Sequence, residues 1–292
     1  MFSSATLIGL TAILLWSSLA LLTAASGTMP PFQLAAMTFA IGGGFGLAYA
    51  AARGRLAALR QPWPVWLLGV GGLFGYHALY FSALRQAPPA EAGLIAYLWP
   101  LLIVLLSASL PGERPGARHI LGALLGLAGV ATLIAGPKLL SGAGLAIENR
   151  YAAGFALAFA CAFVWSIYSV LSRRFKSVPT EAVAGFCLMT ALLAAICHFA
   201  FETTVWPTQS ANWLAILGLG LGPVGLAFYT WDYGVKHGDI RFLGVASYAA
   251  PVLSTFILVI AGLAAASWTL ALACALIVSA AIVATPRAGS AG

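Results

Sequence analysis

The sequence predicts an all-α integral membrane protein: ten transmembrane helices built as two inverted five-helix repeats around a central cavity. Three observations carry that expectation. Only 7% of the 292 residues are charged and 62% are hydrophobic, with a mean hydropathy of +0.98, a composition that a water-soluble domain cannot carry without exposing large apolar surface. Ten apolar stretches match the about 20 residues needed to cross a bilayer. Two proline-broken segments, Tyr97-Leu98-Trp99-Pro100 and Tyr248-Ala249-Ala250-Pro251, stand 151 residues apart, and the match runs backwards through Gly93/Gly244, Arg85/Lys236, Leu84/Val235 and Tyr80/Trp231.

The first stretch, 4–25, lacks a basic leader and is too long for a secretory signal, so it reads as a retained span. Trp16 falls near its middle. The second, 32–52, carries Gly42-Gly43-Gly44 and Gly46, small residues that let helix backbones approach in lipid. In the third, 64–84, Tyr80 and Phe81 stand at i+3 and i+4 from His77 and share its face. An ionisable residue at membrane depth is costly and marks a functional hypothesis. His77 either lines a polar cavity or hydrogen-bonds a carbonyl of a neighbouring helix. In the fourth, 91–110, Pro100 lacks an amide hydrogen and frees the carbonyl of Ala96. The fifth, 118–136, contains Gly122-x-x-x-Gly126, a packing spacing.

A Gly-, Pro- and Ser-containing loop, 136–148, then separates the first repeat, 1–140, from the second, 141–292. Five spans is an odd number, so the second repeat starts on the opposite side and is inverted, with a pseudo-two-fold axis in the membrane plane. The sixth span, 151–171, holds Trp165 and Tyr168, and its Val164-Trp165-Ser166 echoes Leu15-Trp16-Ser17 at a spacing of 149. The seventh, 181–201, ends beside His198 and Glu202, read as interfacial. The eighth, 212–235, includes Gly222-Pro223, and its Phe228, Tyr229, Trp231 and Tyr233 are expected in the interfacial aromatic belt at its end. Asp232 and Lys236, spaced i, i+4, are expected to pair near the headgroups. The ninth, 241–261, carries Tyr248 and Pro251, and the tenth is 267–286.

Lys and Arg set orientation. With a cytoplasmic N-terminus, eleven fall inside (Arg53, Arg55, Arg60, Arg114, Arg118, Arg173, Arg174, Lys176, Lys236, Arg241 and Arg287) and three outside (Arg85, Lys138 and Arg150). Both termini are therefore expected in the cytoplasm. The distribution also argues against a nucleic-acid surface.

No zinc-protease, nucleophile-elbow or phosphate-loop motif occurs, so the chain does not read as an enzyme. Cys161, Cys187, Cys197 and Cys274 fall inside predicted spans without metal-ligand spacing, and neither metal nor cofactor is expected.

The ten-span plan, the two Trp-Ser openings and the stretch Glu91-Ala92-Gly93-Leu94-Ile95-Ala96-Tyr97-Leu98-Trp99-Pro100 resemble the EamA-type, ten-helix branch of the drug/metabolite transporter superfamily. Within it the chain is similar to the YddG-type aromatic amino acid exporters of bacterial inner membranes. The resemblance implies a basket of helices around a cavity lined by the third, fourth, eighth and ninth spans, with help from the first and sixth. It also implies efflux of aromatic and other neutral amino acids. Members of the small multidrug branch carry a coupling Glu in their first span, where this chain has Trp16.

The expectation for the site is a zwitterionic, often aromatic amino acid held between His77, Tyr80, Tyr97, Trp99, Trp165 and Tyr248, with Pro100 and Pro251 as hinges of alternating access. The chain is expected to be monomeric and surrounded by membrane lipids. Two readings compete with it: export of hydrophobic drugs or other small metabolites on the same fold, and a channel-like or non-transporting membrane protein.

Overall fold

The computed structural model describes residues 2–285. Arg287, the C-terminus and the last predicted residue of the tenth span lie outside the described residues. Hydrocarbon offers no hydrogen-bond partner to a backbone, so spanning segments must pair their amides internally. Every regular element among the described residues is accordingly helical. In chain order they are α1 (Ser4–Ser17), α2 (Leu19–Ala25), α3 (Pro31–Ala52), α4 (Trp63–Gln86), α5 (Pro89–Ala96), α6 (Trp99–Ser107) and α7 (Ala117–Leu140). There follow α8 (Ala152–Ser172), α9 (Val183–Phe201), α10 (Ser210–Leu221), α11 (Ala227–His237), α12 (Ile240–Ala246), α13 (Ala249–Ile260) and α14 (Trp268–Ala284).

Joined where the chain runs on, these make nine stretches long and apolar enough to cross a bilayer among the described residues. The shorter apolar helix α14 spans 17 residues. Proline in the first turn, where the amide has no helical partner anyway, opens α3, α4, α5 and α6. Side-chain caps start three others: Ser3 accepts from the Thr6 amide, Asp239 from those of Arg241 and Phe242, and Ser267 from that of Leu270.

The breaks sit one turn upstream of the prolines, at Tyr97–Leu98 between α5 and α6 and at Ser247–Tyr248 between α12 and α13. Between α10 and α11 the chain widens into a π turn, Gly222–Leu226, containing Pro223. The fifth span runs past its predicted end, because Pro137 lies inside the continuous helix α7.

Helix pairs close through small residues. A methyl group at Gly42 would run into the backbone of Gly225, and one at Gly234 into that of Gly9. Gly122 lies against the Ala280 carbonyl and Gly129 against that of Ala273, locking α7 to α14. At one face Glu202 accepts from the Phe32 and Gln33 amides at the start of α3 and from Arg85 at 2.7 Å. A carboxylate is well placed at a helix N-terminus, where amides and dipole both favour negative charge. At the other face Arg55 donates to Glu181 at 2.6 Å.

The expected Asp232–Lys236 pair forms, at 2.8 Å, and is buried, with Thr180 and the Val178 carbonyl supplying the remaining bonds. His198 and Glu202, at the end of α9, are also covered by protein: their side chains are 5% and 2% exposed, enclosed by α3, α4 and the 202–205 segment. One sequence expectation needs correction. Of the four aromatic residues assigned to the belt, Phe228 and Trp231 are core residues and Tyr229 bonds the Gly42 carbonyl, leaving Tyr233 exposed. Phe228 lies nine residues before the end of α11 at His237, about 14 Å along the helix at 1.5 Å per residue.

Removing one partner of a buried ion pair strands the other charge. Lys236→Met should therefore lower stability by about 3–5 kcal/mol, and pairing it with Asp232→Leu should recover most of the loss. Thermal unfolding in detergent checks this; a Lys236→Met protein that melts with the parent would refute it.

Candidate functional site

A cavity of about 860 Å³ lies among α1, α2, α4, α6, α7, α8 and α13, within the about 300–1,000 Å³ typical of small-molecule sites. Its floor is aromatic. Trp16 stands 5.8 Å from Trp165, 6.3 Å from Trp99 and 6.2 Å from Phe228, ring centre to ring centre, mostly edge to face, the arrangement that ring quadrupoles favour. Trp231 supports this floor from beneath, 5.1 Å from Trp16, and its indole donates to Ser169.

The Trp16 indole donates to the Pro223 carbonyl at 3.1 Å. The π turn is what presents that acceptor, so the floor and the irregular backbone of the eighth span hold each other in place. Ser166 Oγ donates to the Trp99 carbonyl at the start of α6. The backbone amide of Leu101, past the other break, donates to the Tyr248 hydroxyl at 3.2 Å. The π turn and the start of α6 are thus each met by side chains from other helices, where hydrocarbon would offer no partner.

One wall is the stripe Tyr76, His77 and Tyr80 of α4, joined by Tyr97 from the break. His77 Nδ1 lies 2.7 Å from the Leu73 carbonyl. A carbonyl can only accept, so Nδ1 carries a proton, and in the neutral form of the ring the lone pair is at Nε2. His77 therefore lines the cavity, and the carbonyl it bonds belongs to its own helix rather than to a neighbouring one. Phe39, Phe81 and Phe228 surround the imidazole edge to face at 5.0, 5.9 and 6.2 Å. The facing wall, from α13, offers Pro251, Ser254 and Thr255.

The lining climbs through Thr23, Ala24, Pro137, Ser267 and Thr269, all at helix ends next to the loops 26–30, 141–148 and 261–267. None of the described residues lining the cavity is Asp, Glu, Lys or Arg. Such a cavity can hold a net-neutral ligand through hydroxyls, one imidazole and ring faces. It has no fixed charge to compensate a net ionic one.

Of the six residues expected to bind substrate, five (His77, Tyr80, Tyr97, Trp99 and Trp165) line this one cavity. Tyr248 does not: it is fully buried, its ring seated against Gly126 of α7 and its hydroxyl held by Leu101. Of the two expected hinges, Pro251 lines the cavity and Pro100 is buried behind Trp99. Sequence reasoning missed Tyr76, Phe228 and Thr255. Tyr76 had a signal, its i, i+4 spacing to Tyr80, and the two rings stack at 6.0 Å. Phe228 had none short of placing the π turn.

Comparison with known proteins follows the same architecture. Residues 3–135 and again 152–285 match the EamA-like transporter family. The chain is 64% identical over 284 residues to the aromatic amino acid exporter YddG of Ancylobacter novellus, covering 97% of each chain. It is 29% identical over 261 residues to the aromatic amino acid exporter YddG of Salmonella typhimurium, covering 86% of each. One solved crystal structure superposes with a TM-score of 0.92 at 62% identity, over 98% of this chain and 97% of that one.

Trp16→Phe keeps a ring in the floor but deprives the Pro223 carbonyl of its donor. An unsatisfied buried acceptor costs about 1–3 kcal/mol, so this variant should unfold at lower temperature than the parent in detergent. Equal melting would mean that the indole N–H does not hold the π turn.

Proposed function

The chain belongs to the EamA-like transporter family, a transporter rather than an enzyme, and on that premise we propose that it exports aromatic and other neutral amino acids across the bacterial inner membrane by alternating access. The observation that carries this reading is the uncharged aromatic cavity. His77 Nε2 accepts from the substrate ammonium, the hydroxyls of Tyr80 and Tyr97 donate to its carboxylate, and an aromatic side chain rests on Trp99 and Trp165. A zwitterion needs one acceptor and paired donors, which this set offers without a net charge. The relatives, both aromatic amino acid exporters, support the same substrate class.

The scaffold we propose has ten spans in two inverted repeats, 1–140 and 141–292, acting as a monomer with both termini in the cytoplasm. Several observations support it. The family model matches the chain twice, on either side of the 136–148 loop. Helix α14, though short, packs along α7 through contacts that a shift of 151 residues exchanges: Gly129 with Ala273 becomes Ala280 with Gly122. Gly9 on α1 meets Gly234 on α11, and the corresponding Ala158 on α8 and Ala83 on α4 share one small buried cluster. The lysine and arginine bias supports a cytoplasmic N-terminus. Pro100 and Pro251, each after a helix break, are the places where the two halves bend.

Proteoliposomes loaded with tryptophan or phenylalanine should release it through the protein in a saturable manner. His77→Ala or Trp99→Ala, at equal protein level, should cut that rate at least tenfold. Unchanged flux in both variants would overturn the site; flux without saturation would favour a channel.

A further inference from the structure

We infer that the cytoplasmic half of the protein holds a second, closed vestibule for the same neutral amino acid, lined by Ser107, Tyr168, Ser169, Ser172 and Tyr248 and sealed by ion pairs around Glu113. The inference rests on the inverted-repeat reading and deepens it by naming the residues that line the path when the protein faces the other way.

The repeat register supplies the lining. In the first span, Leu19, Ala20 and Thr23 border the open cavity. The 149-residue spacing of the two Trp-Ser motifs carries them onto Tyr168, Ser169 and Ser172 of α8. The 151-residue spacing carries Tyr97 onto Tyr248 and Leu258 onto Ser107. All five of these counterparts are buried, at 4% exposure or less.

Their chemistry is unusual for helix packing alone. Three serine hydroxyls and two phenols are gathered in a part of the molecule that lipid surrounds, where apolar fillers would serve better. The Tyr168 hydroxyl has no protein hydrogen-bond partner. It borders a void of about 10 Å³ shared with Ser172, Asp232 and Lys236. A lining that is wet in one state and closed in another accounts for polar groups at these positions.

The seal is built from charge. Arg173, at the end of α8, donates to the carbonyls of Val235 and Gly238 at 2.9 and 2.6 Å and to Glu113 at 2.5 Å. Arg241 Nε stands 3.2 Å from the second oxygen of Glu113, an ionic contact without hydrogen-bond alignment, and bonds Asp239. One carboxylate thus ties the α6–α7 loop to α8 and to the start of α12. At the open face the corresponding positions hold Ala264 for Glu113, Ala24 for Arg173 and Ala90 for Arg241. The Glu113 lock thus has no counterpart at these positions of the open face, which biases the empty protein toward the state that opens away from the cytoplasm.

The test is site-directed labelling with a membrane-impermeant maleimide, applied separately to inside-out and right-side-out membrane vesicles. Ser172→Cys probes the closed vestibule and Ser254→Cys the open cavity, each read above the labelling of the parent's own cysteines. In the otherwise native chain Ser172→Cys should be protected. Adding Glu113→Gln should raise its labelling from the cytoplasmic side at least tenfold, slow Ser254→Cys labelling from the other side, and let saturating tryptophan protect Ser172→Cys. If Glu113→Gln reduces expression, Arg241→Gln opens the same lock. Continued protection of Ser172→Cys in both lock variants, with Ser254→Cys unchanged, overturns the vestibule. Labelling of both cysteines from one side overturns the inverted repeat instead, and opening without protection by tryptophan overturns the shared ligand.

Discussion

A backbone amide or carbonyl left unpaired in hydrocarbon costs several kcal/mol, and the architecture follows from how this chain meets that demand. Straight helices meet it alone. At the π turn and at the start of α6, other helices send groups to the backbone: Trp16 to Pro223, Tyr248 to Leu101, Ser166 to the Trp99 carbonyl. These substitutes are aromatic or hydroxyl side chains because they must donate or accept without carrying charge. The floor of the cavity grows out of the same requirement, since Trp16 both satisfies the π turn and presents its ring to the cavity.

Charged groups obey a related rule. Each buried carboxylate among the described residues discussed above is spent on several partners at once. Glu202 joins the start of α3 to α4 and α9; Glu91 binds Lys138 and the Ala146 amide; Asp232 binds Lys236 and Thr180. All lie toward helix ends, where strapping neighbours together does not put charge into the cavity. The cavity stays neutral, and the ends of the bundle carry the ionic ties. Moving parts can then exchange contacts at the faces while the uncharged centre keeps its chemistry.

Much of this was legible in the sequence because lipid imposes strong rules. Helical class, span positions, the two proline breaks and five cavity residues follow from hydropathy, from proline's missing amide and from the cost of polar groups at depth. The misreadings share one cause. Counting residues from a span end assigns Phe228, Tyr229 and Trp231 to the interfacial belt, where the structure buries Phe228 and Trp231 and ties Tyr229 to the Gly42 carbonyl. Counting along a single helix does not reveal which neighbour covers that end, nor that a π turn shifts the aromatic face of the eighth span.

The sequence by itself determined that this chain must live in a bilayer, where it must bend, and which side chains are too costly at depth to be there without use. Those are properties of each residue and its solvent. Only the tertiary structure decided that Tyr248 supports α6 rather than the cavity, that Trp16 holds the π turn, and that Glu113, Arg173 and Arg241 meet. Each depends on helices far apart in the chain arriving at one place, and spacing along a sequence does not encode which faces will touch.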